Sequence, residues 1–167
     1  MRHALLTTQQ HLPQLPTTSL AVGAQLFVFS ARQWLAAAAA KHCPNQLLRP
    51  FYDRYDASPA LPILDELMCH LSVSTVRPLA LNCPCRADLG DDEAELLRAL
   101  QSVQRGSRPD VLTHLDGFLA GPLRTTFTRI AEAYVAQLRA AGLSLTGRRY
   151  LSAVRGTTSN APGGNHG

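Results

Sequence analysis

Three places in the chain set a thiol beside an imidazole or a second thiol. His42 adjoins Cys43, Cys69 adjoins His70, and Cys83 and Cys85 flank Pro84. Thiolate and imidazole together suit zinc, and also copper or iron–sulfur chemistry. A zinc or other thiophilic-metal centre would need these pairs to converge from different elements. Their spacing argues against one: there is no Cys-x-x-Cys pair, and neighbours on a helix point in different directions. The competing view makes Cys69 part of an apolar helix, since free cysteine is among the most often buried residue types. Cys43 beside Pro44 then covers a helix end. Cys83 and Cys85 have a separate use as a redox pair, which needs a thiol of lowered pKa. No resident cofactor is predicted. His42, Cys43, Cys69, His70, Cys83 and Cys85 are the ligand candidates for the metal alternative.

The carboxylates offer less. Asp53, Asp56, Asp65 and Glu66 flank a helix break and have the chemistry of a general acid–base pair or a divalent-ion site. No partner stands at a diagnostic spacing, so helix capping and solvated charge account for them. Asp88, Asp91 and Asp92 lack the alternating ligands and terminal glutamate of a calcium loop. Neither a glycine-rich phosphate loop nor a Gly-x-Ser-x-Gly elbow is present. No catalytic residue is assigned, and an enzyme with an unmarked pocket ranks behind binding and sensing.

Two segments read as contact surfaces. Phe51, Tyr52 and Tyr55 alternate with Asp53, Arg54 and Asp56, a mixture suited to a protein interface, where aromatics and arginine are enriched. Arg148, Arg149 and Tyr150 form a small basic segment after the last predicted helix. With Arg124, Arg129 and Arg139 they could meet an acidic protein or nucleic acid. Two adjacent arginines fall short of a polybasic patch, so a protein partner is preferred to nucleic acid.

Charge is distributed unevenly. Residues 61–120 carry five cations and nine anions, whereas residues 121–167 carry six cations and one anion. Attraction between the two parts within the fold explains this as simply as an anionic partner does. The most apolar run, residues 20–40, contains Arg32 near its middle, which is costly in lipid, so no membrane span is expected. Residues 1–18 are mostly polar, so no secretory signal is expected there. A cytoplasmic location follows as the default, with all four cysteines reduced.

The elements that would position these residues are helical. Charged residues make up 17% and hydrophobic residues 46% of the chain, which suits a helical core and argues against general disorder. The spacing predicts a first helix over about 20–42, with Phe27 and Trp34 on one buried stripe, and the alanine run 36–40 letting a neighbour approach. A shorter helical segment covers 45–55, broken or started by Pro50. A third helix covers about 61–71, with Ile63, Leu64, Leu67, Met68 and Leu71 on one face. Residues 72–85 read as an extended connection or one short edge strand. Asp91, Asp92, Glu93 and Glu95 then crowd a helix N-terminus, and Gly106 is its C-cap. Ser107 and Asp110 resemble a capping box before the next helix. A last helix covers about 122–141, and residues 143–145 dock as a short extended piece.

The expected fold class is mainly α: an irregular bundle of five to six helices with at most one or two short extended segments. Residues 1–18 form an arm, 19–146 the helical domain, and 147–167 a basic and then disordered tail. The function expected is that of a small, bacterial-type cytoplasmic protein acting by binding, as a regulator, adaptor or accessory factor. A metal- or thiol-based sensor using the cysteine–histidine pairs is the alternative.

Overall fold

The computed structural model describes residues 15–147. It is a mainly α bundle of six helices, with no strand among the described residues. In chain order these are α1 (Val22–Ala39), α2 (Pro44–Arg54), α3 (Leu61–Ser74), α4 (Asp91–Arg105), α5 (Arg108–Leu115) and α6 (Gly121–Ala140). Short 3-10 turns at Thr17–Ser19 and Ser58–Ala60 precede α1 and α3.

Helix α6 lies at the centre, packed against α3, α4 and α5. Phe127, Ile130, Ala131, Tyr134 and Leu138 recur at helical spacing and are all buried. Helix α3 buries Leu64, Leu67, Met68 and Leu71, while α4 buries Leu96, Leu97 and Leu100. Gly106 takes a left-handed conformation, φ 77°, and ends α4 as expected of a C-cap. Trp34 is 7% exposed, and its indole N–H donates to Asp65 Oδ1 at 2.7 Å, so the polar edge of a buried ring is satisfied.

Several local expectations are corrected. Helix α2 runs through Pro50, which faces solvent, while Leu48 and Tyr52 on the other side are fully buried and hold the helix in place. Helix α3 continues to Ser74, so residues 72–74 are helical rather than extended. The rest of the connection has only isolated bridges, Pro16 to Asp88 and Thr75 to Leu119. Ser107 makes no side-chain hydrogen bond to the first turn of α5, so the expected capping box with Asp110 does not form. The alanine run is exposed except at Ala37.

Part of the expected arm belongs to the folded body. Thr17 N–H donates to Ala87 O at 2.8 Å, and Leu89 N–H donates to Leu15 O at 3.1 Å. At the other end, Leu145 is buried, and Gln101 and Gln104 hydrogen-bond its C=O and N–H. Gly23 lets this segment approach closely: a Cβ there would lie 2.6 Å from Ser144 O.

Candidate functional site

A cleft lies where α1, α2, the 3-10 turn before α1 and the loop at 84–86 meet. It encloses about 320 Å³, and its walls include Gln25, Phe29, Phe51, Tyr55, Pro84 and Arg86. Phe29 and Phe51 form a tilted aromatic pair with centroids 4.7 Å apart. The aromatic wall has a simple origin in α2. Leu48 and Tyr52, four residues apart, face the core and are fully buried. Leu47, Phe51 and Tyr55 also recur every four residues, on the next face, and are 46%, 41% and 37% exposed.

The opposite wall is fixed by buried charge. Arg32, from the middle of α1, is 4% exposed and pairs with Glu93 at the start of α4, which is 3% exposed. The guanidinium donates to both Glu93 oxygens at 2.7 Å, to Arg86 O at 2.6 Å and to Asp88 O at 2.7 Å. Glu93 also accepts from the Asn82 N–H at 2.8 Å and the Gly90 N–H at 2.7 Å. One ion pair therefore ties α1, α4 and both sides of the loop carrying Cys83, Pro84 and Cys85. A second clamp lies further along. Arg77 makes a two-pronged bond to Asp92 at 2.7 and 2.8 Å, and Asp92 also accepts from the Ala80 N–H. The Arg77 hydrogen bonds hold the Asp92 carboxyl below the usual carboxylate range.

The candidates named from sequence are scattered. His42 and Cys43 are exposed at the turn between α1 and α2. Cys69 is exposed on α3, not buried, because that helix turns Leu67, Met68 and Leu71 inward. Partial desolvation, with Asp65 nearby, pushes its thiol pKa up, which lowers its thiolate content. His70 is half-buried; its Nε2 lies 3.0 Å from Leu123 O and its Nδ1 3.4 Å from Ser74 Oγ, linking α3 to α6. Of the six, only Cys83 and Cys85 come together, as a disulfide, which corrects the expectation of four reduced thiols. Among the described residues, no three histidine, cysteine, aspartate or glutamate side chains are placed to hold one metal ion.

Of the contact candidates, Phe51 and Tyr55 line the cleft. Tyr52 does not: it is buried, and its hydroxyl lies 2.9 Å from that of Tyr134. Burial raises the Tyr52 pKa to about 12. Arg148, Arg149 and Tyr150 lie outside the described residues. Sequence reasoning missed Leu47, Phe29 and the whole Arg32–Glu93 clamp. The available signal for the first was a second apolar row in α2, spaced by four residues.

Comparison with known proteins finds no match: no family model, curated protein or solved structure is similar to this chain. No helix among the described residues is long and apolar enough to cross a membrane.

Proposed function

We propose that this chain acts by binding, as an adaptor or accessory factor, and that the cleft between α1 and α2 receives a protein segment with large apolar side chains. The observation that carries this is the row Leu47, Phe51 and Tyr55, left open to solvent on a helix whose other apolar face is already buried. Phe51 and Tyr55 continue into the cleft beside Phe29, so surface row and concavity form one apolar surface. Gln25 and Arg86 add polar side chains to its lining; the Gln25 amide N–H group is held by Leu20 O and Arg86 pairs with Asp88, which leaves the Gln25 carbonyl oxygen and the Arg86 Nη1 group for the backbone of a bound segment. Among the described residues the cleft lining offers no carboxylate, imidazole or free thiol, which favours binding over catalysis.

Selection of phage-displayed random peptides on the whole chain tests this. The enriched peptides should carry aromatic or long aliphatic residues. Phe51→Ala should weaken their binding about tenfold in fluorescence anisotropy, as loss of an interface anchor does. Val73→Ser, at an 83% exposed position on α3, should leave binding unchanged. Failure to enrich any peptide, or equal binding by the Phe51→Ala chain, would sink the proposal.

A further inference from the structure

We infer that Cys83–Cys85 is a redox-active disulfide that oxidises dithiols by thiol–disulfide exchange. Both cysteines are exposed, so an incoming thiolate can reach the bond. The ring closed by the bond spans a single intervening residue, Pro84. Stabilisation of a fold by a disulfide through chain entropy grows with loop length, so this bond contributes less than a long-range one and the fold loses little when it is reduced. Exposed bonds of this kind are the labile ones.

The surrounding clamp gives the pair a reason to reform. Glu93 holds the N–H of Asn82 just before the loop, and Arg32 holds the carbonyl of Arg86 just after it. The two cysteine Cα atoms are 5.3 Å apart between these fixed points. Reduction leaves both anchors in place, so the two thiols stay near each other and the couple is reversible. Arg32 and Glu93 are thus positioning residues for the pair.

The geometry also gives the exchange a direction. The Cys85 N–H points at Cys83 Sγ, 3.2 Å away, and stabilises negative charge there. Cys83 is therefore the better leaving group, and the incoming thiolate attacks Cys85 Sγ. The Cys83–Cys85 bond breaks, a mixed disulfide forms between Cys85 and the substrate, and Cys83 leaves as a thiolate. The second substrate thiolate then attacks its own neighbour's sulfur, forming the substrate disulfide and releasing Cys85. Two electrons pass to the pair, and the two protons of the substrate dithiol end on Cys83 and Cys85. The reaction requires no occupant of the α1–α2 cleft, so it stands apart from the binding proposal.

The test uses the full chain, oxidised in dilute solution with copper–phenanthroline, which leaves no small-molecule mixed disulfide, then treated with EDTA, desalted, and mixed anaerobically with a synthetic peptide carrying two reduced cysteines. Alkylation and mass spectrometry should show the peptide losing two hydrogens while the chain passes from two free thiols, Cys43 and Cys69, to four. The rate should exceed that of glutathione disulfide at equal concentration by about tenfold, because a stabilised thiolate leaves faster. Cys83→Ser and Cys85→Ser should each abolish the reaction, with melting temperatures checked to exclude unfolding. The Cys43→Ser/Cys69→Ser double variant should keep it. A peptide that stays reduced beside an intact disulfide, failure of the pair to oxidise at all, or exchange surviving in both single variants would each overturn the inference.

Discussion

The segment from Thr75 to Gly90 and the helices it lies against are held together by different forces. Helices α3, α4 and α6 bury rows of leucine and aromatic side chains, and away from the N-terminus of α4 their buried polar side chains are few: Ser102, Thr128 and the Tyr134 hydroxyl, which meets that of Tyr52 from α2. The loop contributes Leu79 and Leu81 half-buried and Leu89 buried at its end, and between Arg77 and Asp88 charged side chains make many of the bonds to its backbone. Arg32 takes two of its carbonyls, Glu93 takes the Asn82 N–H, and Asp92 takes the Ala80 N–H. Apolar packing weakens in proportion to what is removed. A buried ion pair behaves otherwise, since loss of one partner leaves the other charged and desolvated. The bundle should therefore respond to substitution by degrees, and the loop abruptly.

The sharpest way to break this comparison is Glu93→Ala. It strands the Arg32 guanidinium and frees the N–H groups of Asn82 and Gly90, so the cost should be about 3–5 kcal/mol. Leu64→Ala, in the fully buried face of α3, should cost about 2–5 kcal/mol by cavity formation. Denaturant titration compares the totals, and hydrogen exchange separates the causes. Glu93→Ala should raise exchange at Ala80, Asn82 and Leu89 far more than in α6, whereas Leu64→Ala should not single out the loop. A near-neutral Glu93→Ala would show that the loop does not depend on its charges.

The same contrast explains what was legible in the sequence. Helix α6 repeats its apolar residues without interruption over its length, so spacing alone placed both the helix and its buried face. Gly106 was legible as a C-cap because a left-handed turn favours one residue type. The clamp was not legible: Arg32 and Glu93 are 61 residues apart, and no local periodicity joins them. Asp92 and Glu93 looked like ordinary helix N-terminal acids, and Glu93 does reach back to the Gly90 N–H, yet Asp92 bonds Arg77 and Ala80 in the loop, and Glu93 bonds Asn82 there and Arg32 on α1. In α2, two apolar rows lie side by side. Composition found the aromatic segment, but only packing against α1 and α3 decides that Tyr52 goes in while Phe51 and Tyr55 stay out. The disulfide depends on a turn at Pro84 that spacing does not dictate.

A smaller effect should appear at alkaline pH, and it belongs to the bundle. Burial raises the Tyr52 pKa to about 12, and burial together with Tyr52 itself pushes Tyr134 well above the usual tyrosine value. In the unfolded chain both titrate near 10. The folded state therefore holds its protons longer. Its advantage is complete below about pH 10 and is lost progressively as pH climbs above that value, Tyr52's share by about pH 12. Tyr52→Phe removes one of these groups at the cost of one hydrogen bond, about 1 kcal/mol near neutrality. Its stability should then decline less steeply above pH 10. Denaturant melts at pH 7 and pH 11 check this, and equal slopes for both chains would remove the buried hydroxyl pair as the cause.

The smallest expected effect concerns the outer clamp and is read at acid pH. Asp92 is held below its ordinary pKa first by the hydrogen bonds from Arg77, against the opposing effect of burial, with help from the Ala80 N–H. A lowered carboxyl pKa contributes stability that is full above the unfolded value, about 4, and fades as pH falls through the folded value. Arg77 is 46% exposed, though its guanidinium also lies over the Phe118 ring at 4.7 Å. Solvent screens such a pair, so Asp92→Asn at pH 7 should cost much less than Glu93→Ala. What distinguishes it is the slope. Wild-type stability should fall between pH 5 and pH 2.5 more steeply than that of Asp92→Asn, which has lost the titrating group but can still accept from the Ala80 N–H. Parallel acid profiles would mean that the outer clamp carries no stability, leaving Arg32–Glu93 as the ion pair that holds the loop.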